Sequence, residues 1–207
     1  MIYFNLFPRC GSAFLATLSS YILDSEVKVI REPDKYKDKI NQIVVFRDPF
    51  KTLSSVIERS RYTSFLQNKS ISWTSGLDQE IEYHNKEYIR FIDLALDNFS
   101  NLYCGVFDQV MTDPVSFLKK AGTTFNLKTF DNVDAVEMTI STLKNRHKSD
   151  SPTDYGHYFR DKDMNRLLIE ESVTGSKCLD ESFDKYKRFV EMVSSADALF
   201  RTSLNCD

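Results

Sequence analysis

The feature that most constrains the fold is the run Ile43-Val44-Val45-Phe46, which leads straight into Arg47-Asp48-Pro49. Four consecutive apolar residues bounded by turn chemistry describe a strand buried on both faces, as in a parallel sheet covered by helices on both sides. Asp48 suits an N-cap and Pro49 the first helical position, so a helix is expected from Pro49 to about Arg61. A second strand–turn–helix opens the chain. Met1 to Phe7 is apolar, Pro8 stops it, and Arg9 to Ser12 forms a turn containing Gly11. Phe14, Leu15, Leu18, Tyr21 and Ile22 then recur at helical spacing.

The remaining elements extend this alternation. Short strands are expected at Val27–Ile30 and Leu102–Phe107, and a long helix from Leu77 to Phe99 with Ile81, Tyr88, Ile92 and Ala95 on one face. Asp113-Pro114 begins a helix to about Ala121, and Val133–Leu143 is helical in pattern. Phe159–Glu171 and Glu181–Leu199 close the chain. Thr63–Ser75 reads as a loop or lid, and Lys144–Gly156 as a polar loop. The expected fold class is α/β: three layers around a central, mainly parallel sheet, a P-loop-like strand–loop–helix at the N-terminus and a helical C-terminal part. With 207 residues, no repeat and no linker, residues 1–207 are read as one domain.

Charge narrows the function classes. With 27 Lys and Arg against 30 Asp and Glu, the net charge of −3 carries no nucleic-acid footprint, so any anion site must be local. The four cysteines are scattered, with neither a CxxC pair nor His at zinc spacing, and no metal site is expected. No apolar run is long enough to span a membrane, and residues 1–10 lack the basic start of a signal peptide, so a cytoplasmic protein is expected.

Two constellations carry chemistry. Pro8-Arg9-Cys10-Gly11-Ser12 ahead of a helix has the makings of an anion cradle. The helix start offers unpaired N–H groups and positive potential, Gly11 allows close approach, Ser12 brings a hydroxyl and Arg9 a bidentate cation. The loop lacks the G-x-x-x-x-G-K-[ST] pattern of an ATP-type phosphate loop, and a plain βα turn with Arg9 on the surface fits it equally. Arg47 stands at the end of a parallel strand, where open α/β sheets bind ligands, and Ser55 follows eight residues later on the helix. Taken alone, an exposed Arg47 paired with Asp48 or Glu58 is the simpler reading.

Together, the two sites resemble the sulfotransferase family that uses 3′-phosphoadenosine 5′-phosphosulfate (PAPS). Pro8-Arg9-Cys10-Gly11-Ser12-Ala13-Phe14 is similar to that family's 5′-phosphosulfate loop. Arg47-Asp48-Pro49 with Ser55 is similar to its 3′-phosphate site. Val106-Phe107-Asp108 through Asp113-Pro114 loosely resembles a third family segment. The resemblance spans about residues 1–130. It implies cofactor contacts at Arg9, Cys10, Gly11, Ser12, Ala13, Phe14, Arg47, Ser55 and Phe107, with Arg146 and Lys148 in a late basic loop. It also implies sulfuryl transfer from PAPS, without a metal, to a hydroxyl or amine of a small-molecule or glycan acceptor, leaving adenosine 3′,5′-bisphosphate. Arg9 would stabilise the leaving phosphate. Glu32, after the second strand, and His84, in the long helix, are the rival general bases. A surface pair with Arg31 or Lys35 is the alternative for Glu32, and a packed structural role for His84. Ala13 departs from the family by lacking a hydroxyl, and Phe14 stands in place of Trp. A nucleotide-binding small-molecule kinase and a non-catalytic nucleotide- or protein-binding member of the fold are the competing readings.

Overall fold

The computed structural model describes residues 1–31, 41–66, 75–149 and 166–204. Four strands form one all-parallel sheet: β1 (Ile2–Asn5), β2 (Val27–Ile30), β3 (Gln42–Phe46) and β4 (Leu102–Val106), in the order β2-β1-β3-β4. Phe4 pairs with Val29 on one side and Ile43 on the other, and Val44 pairs with Cys104. The helices are α1 (Ser12–Ile22), α2 (Pro49–Leu66), α3 (Leu77–Asp97), α4 (Phe107–Thr112), α5 (Pro114–Thr124), α6 (Ala135–Ser149), α7 (described over 166–174) and α8 (Asp180–Leu204). The architecture is the expected three-layer α/β fold.

The period-two alternation of the strands assigns each layer its core. Ile2, Phe4, Leu6, Ile43 and Val45 point to one face and pack with Leu15, Leu18 and Ile22 of α1 and Leu118 of α5; α6 closes this layer against α1. Phe7, Val44 and Phe46 point to the other face, beneath α2, α3 and α8. An aromatic cluster ties that second layer. Phe7 meets Tyr88 and Phe91 edge-on at 5.3 and 5.4 Å, and Phe46 meets Tyr88 and Phe189 at 5.7 and 5.0 Å. Edge-to-face contacts of this kind add about 0.5–1.5 kcal/mol beyond area burial. The central strand β3 is buried at every position, as its apolar run requires, whereas the edge strand β2 exposes Lys28 and Val29.

Helix starts follow their chemistry. The Lys51 N–H donates to Asp48 Oδ1 at 3.0 Å and the Ser116 N–H to Asp113 Oδ1 at 3.0 Å, each Asp preceding a Pro at the helix start. Three boundaries differ from expectation. Helix α2 continues past Arg61 to Leu66, where Arg61 is held at 2.7 Å by Glu80 of α3, a tertiary bond that polar composition does not announce. The segment expected to begin a polar loop at Lys144 is helical through Ser149. Phe107 ends no strand; it opens the short helix α4. No helix among the described residues is long and apolar enough to cross a membrane.

Phe4 is fully buried between sheet and α1, and its register partner Val29 is 39% exposed on the edge strand. Phe4→Ala should therefore cost about 3–5 kcal/mol in urea denaturation, and Val29→Ala about 0.5 kcal/mol. Equal losses would contradict the layer assignment.

Candidate functional site

Strand order decides where a ligand can sit. From β1 the chain runs through α1 to β2 on one side. From β3 it runs through α2 and α3 to β4 on the other, with the helices on the opposite face. The loops after β1 and β3 therefore diverge and leave a crevice at the carboxyl ends of the two strands, the switch point at which open α/β sheets hold ligands.

The loop after β1 is a tight turn. The Cys10 N–H donates to Phe7 O at 3.3 Å, Pro8 takes the second position, and Arg9 takes the third with φ 69°. A positive φ there is normally filled by Gly, and an L-residue pays about 1–2 kcal/mol for it. Gly11 follows at φ 84° as N-cap of α1. That helix has no side-chain cap and no acidic residue in its first turn, so its leading N–H groups and positive end are uncompensated by the protein. Gly11, Ser12 and Phe14 are half-buried and Ala13 exposed, which leaves this helix start accessible.

The two constellations meet. Arg9 Nε donates to Ser55 Oγ at 2.9 Å across 46 residues of sequence. A Cβ on Gly11 would lie 3.0 Å from the Phe107 ring, and the Arg47 guanidinium carbon lies 5.1 Å from the centre of that same ring. Phe107 is thus the common wall between the α1 start and Arg47. Neither Asp48 nor Glu58 pairs with Arg47. Asp48 caps α2, and Arg47 Nε is buried without a hydrogen-bond partner among the described residues. Leaving a charged donor in that state costs at least about 1–3 kcal/mol. The Arg47 backbone is firmly held, its carbonyl accepting from Tyr88 Oη at 2.9 Å and from Thr52 Oγ1 at 3.2 Å. On the outer side of Phe107, Lys51 pairs with Asp108 at 3.2 Å.

Several expected site residues fall elsewhere or carry other roles. The Cys10 side chain is fully buried in the core within hydrogen-bonding reach of Thr52 and the Arg47 backbone. Burial pushes its thiol up to about 11, against the smaller opposing effects of those bonds and the Arg47 charge. It packs the loop from beneath rather than facing the crevice. His84 is half-buried on α3, edge-on to Tyr83 at 5.1 Å. Burial lowers its pKa, opposed by the charges of Glu80 and Glu87. Neither of those carboxylates belongs to the strand-end crevice. Glu32 lies outside the described residues, as do the side chains of Arg146 and Lys148. Among the described residues no group of His, Cys, Asp and Glu could hold a metal ion, and Cys10, Cys104 and Cys178 are free thiols.

Two residues of the site region carried no functional signal in the sequence. Tyr88 stood out only as a member of a helical apolar stripe, yet it fixes the Arg47 backbone. Tyr186 of α8 is half-buried. Burial raises its hydroxyl to about 12, with smaller contributions from the charges of Asp48, Asp108 and Cys10. No protein-family model, no curated protein and no solved structure matches the chain.

Cys10 and Cys104 have an ordinary value of 9.0 and are raised by burial to about 11 and about 12. The unfolded chain ionises first, so the stability these thiols supply is complete below pH 9 and lost as pH rises toward 11–12. Each removes about 1.4 kcal/mol per pH unit above 9. Urea denaturation of the wild type and of Cys104→Ala at pH 8, 9 and 10 should show a steeper alkaline fall for the wild type. Parallel profiles would contradict the raised Cys104 thiol.

Proposed function

We propose that the chain is a PAPS-dependent sulfotransferase acting on a hydroxyl or amine of a small-molecule or glycan acceptor. The observation that carries this reading is the Arg9–Ser55 hydrogen bond, which joins the two motifs into one crevice beside the partnerless Nε of Arg47. The donor set suits a doubly phosphorylated nucleotide. It offers an uncapped helix start for one anion and, for a second, a half-buried Arg47 whose buried Nε has no hydrogen-bond partner among the described residues. The close contact at Gly11 leaves no room for a side chain between the α1 start and Phe107.

PAPS, when bound, supplies an activated sulfuryl group for in-line transfer. The residues of this chain would orient it and hold its charge. The N–H groups at Gly11 and Ser12 would hold the 5′-phosphate, and Arg47 with Ser55 the 3′-phosphate, a contact that distinguishes the cofactor from ATP. Arg9, bonded to Ser55, would stabilise the charge that develops on the leaving phosphate. Phe14 or Phe107 offers a ring face for the base. Glu32 or His84 would accept the acceptor's proton. Burial shifts His84 toward its neutral imidazole, the form a base requires, against the opposing charges of Glu80 and Glu87.

Calorimetric titration tests the cofactor half of this reading. Adenosine 3′,5′-bisphosphate should bind and ADP and ATP should bind far less well, and Arg47→Ala should weaken the bisphosphate by about 1.5–3 kcal/mol. Equal binding of all three nucleotides would move the kinase-like reading ahead, and no binding the non-catalytic one. Arg9→Ala should leave the fold intact and abolish sulfuryl transfer; full turnover in that variant would remove Arg9 from the mechanism.

A further inference from the structure

Arg47 Nε is buried without a hydrogen-bond partner among the described residues, a state its side chain would leave if the backbone beneath it were free to shift. The backbone is not free. The Arg47 carbonyl accepts from Tyr88 Oη at 2.9 Å and from Thr52 Oγ1 at 3.2 Å, and the Cys10 sulfur is within hydrogen-bonding reach of the same backbone. Cys10 belongs to the first motif and Thr52 to the helix that follows the second. Tyr88 comes from neither. It reaches Arg47 from α3, across 41 residues of sequence.

The Tyr88 ring is wholly buried, with Phe7 and Phe46 edge-on at 5.3 and 5.7 Å. Phe7 leads into the first anion loop, and Phe46 immediately precedes Arg47. Packing of this kind needs only the ring, which a phenylalanine would supply. The hydroxyl is an added polar group in a core, and such a group is carried there only with a partner. Its partner is the Arg47 carbonyl. Burial above all raises the phenol well above its ordinary value, so it remains a donor across neutral pH.

We propose that Tyr88 is a positioning residue that sets the selectivity of the crevice for a bisphosphate: its hydroxyl holds the Arg47 backbone, and through it the guanidinium, at the spacing from the α1 start that two phosphates on one nucleoside require. The role rests on the two-anion reading of the crevice, and Tyr88 itself touches no ligand. A group held in place before binding loses less freedom when the ligand arrives, which is how a residue behind the site acts on affinity within it.

Calorimetric titration of the full chain with adenosine 3′,5′-bisphosphate and with adenosine 5′-monophosphate, which lacks only the 3′-phosphate, tests the proposal. The wild type should prefer the bisphosphate. Tyr88→Phe, checked for native circular dichroism, should lower that preference by about tenfold, through the bisphosphate alone and with the monophosphate unchanged. In an Arg47→Ala background the same substitution should change bisphosphate affinity by less than about twofold, because the group that Tyr88 positions is gone. Thr52→Val removes the longer bond to the same carbonyl and should act in the same direction. It carries the test if Tyr88→Phe does not fold, and an unchanged preference there overturns the proposal. A wild type that does not distinguish the two nucleotides removes the two-anion reading and this role with it. A wild type that does, with the preference kept in full by folded Tyr88→Phe or with both nucleotides weakened equally, overturns the role of Tyr88 and leaves the sulfotransferase reading standing.

Discussion

The parallel pairing of β1 with β3 is the constraint on which the rest depends. Two adjacent parallel strands whose connections leave in opposite directions must part at their carboxyl ends, and whatever follows them lines the gap. Here the residues that follow are Arg9, Gly11 and Ser12 on one side and Arg47, Asp48 and Ser55 on the other. Their spacing is then settled by contacts rather than by loop chemistry. Arg9 bonds to Ser55, and Phe107 fills the space between Gly11 and Arg47.

The crevice is held in an unfavourable local state. Arg9 keeps a left-handed backbone, a cost of about 1–2 kcal/mol, and Arg47 Nε remains buried without a partner, at about 1–3 kcal/mol more. The two cores outweigh both. Each fully buried Leu, Ile or Phe contributes roughly 1.5–3 kcal/mol, and Phe4, Leu6, Leu15, Leu18, Ile43 and Phe46 are all buried to within 1%. Tyr88 connects the two levels, since one ring packs Phe7 and Phe46 and its hydroxyl fixes the Arg47 carbonyl. Local strain of this kind, sustained by packing beneath, is characteristic of ligand sites.

Much of this organisation was legible in the sequence. Ile43–Phe46 identified the central strand, Asp48-Pro49 and Asp113-Pro114 marked helix starts, and Gly11 marked the turn that precedes α1, because each rests on chemistry within a few residues. The features that were missed depend on distant partners. The extra turns of α2 accompany the Arg61–Glu80 pair, and Tyr186 is half-buried because α8 packs on α2, α3 and β4. The inward turn of Cys10 was likewise hidden, since a residue in a glycine-containing loop gives no sign of which way its side chain points. The pairing of Arg9 with Ser55 is the intermediate case. Each motif is local, but their meeting is a property of strand order.

The central claim is that the crevice between β1 and β3 takes two anions on one ligand. The most direct measurement is a crystal structure of the protein grown with adenosine 3′,5′-bisphosphate. One phosphate should lie on the N–H groups at the start of α1, and the other within hydrogen-bond distance of Arg47 and Ser55. A bisphosphate bound elsewhere, or an Arg47 Nε still without a hydrogen-bond partner beside a bound nucleotide, would contradict it.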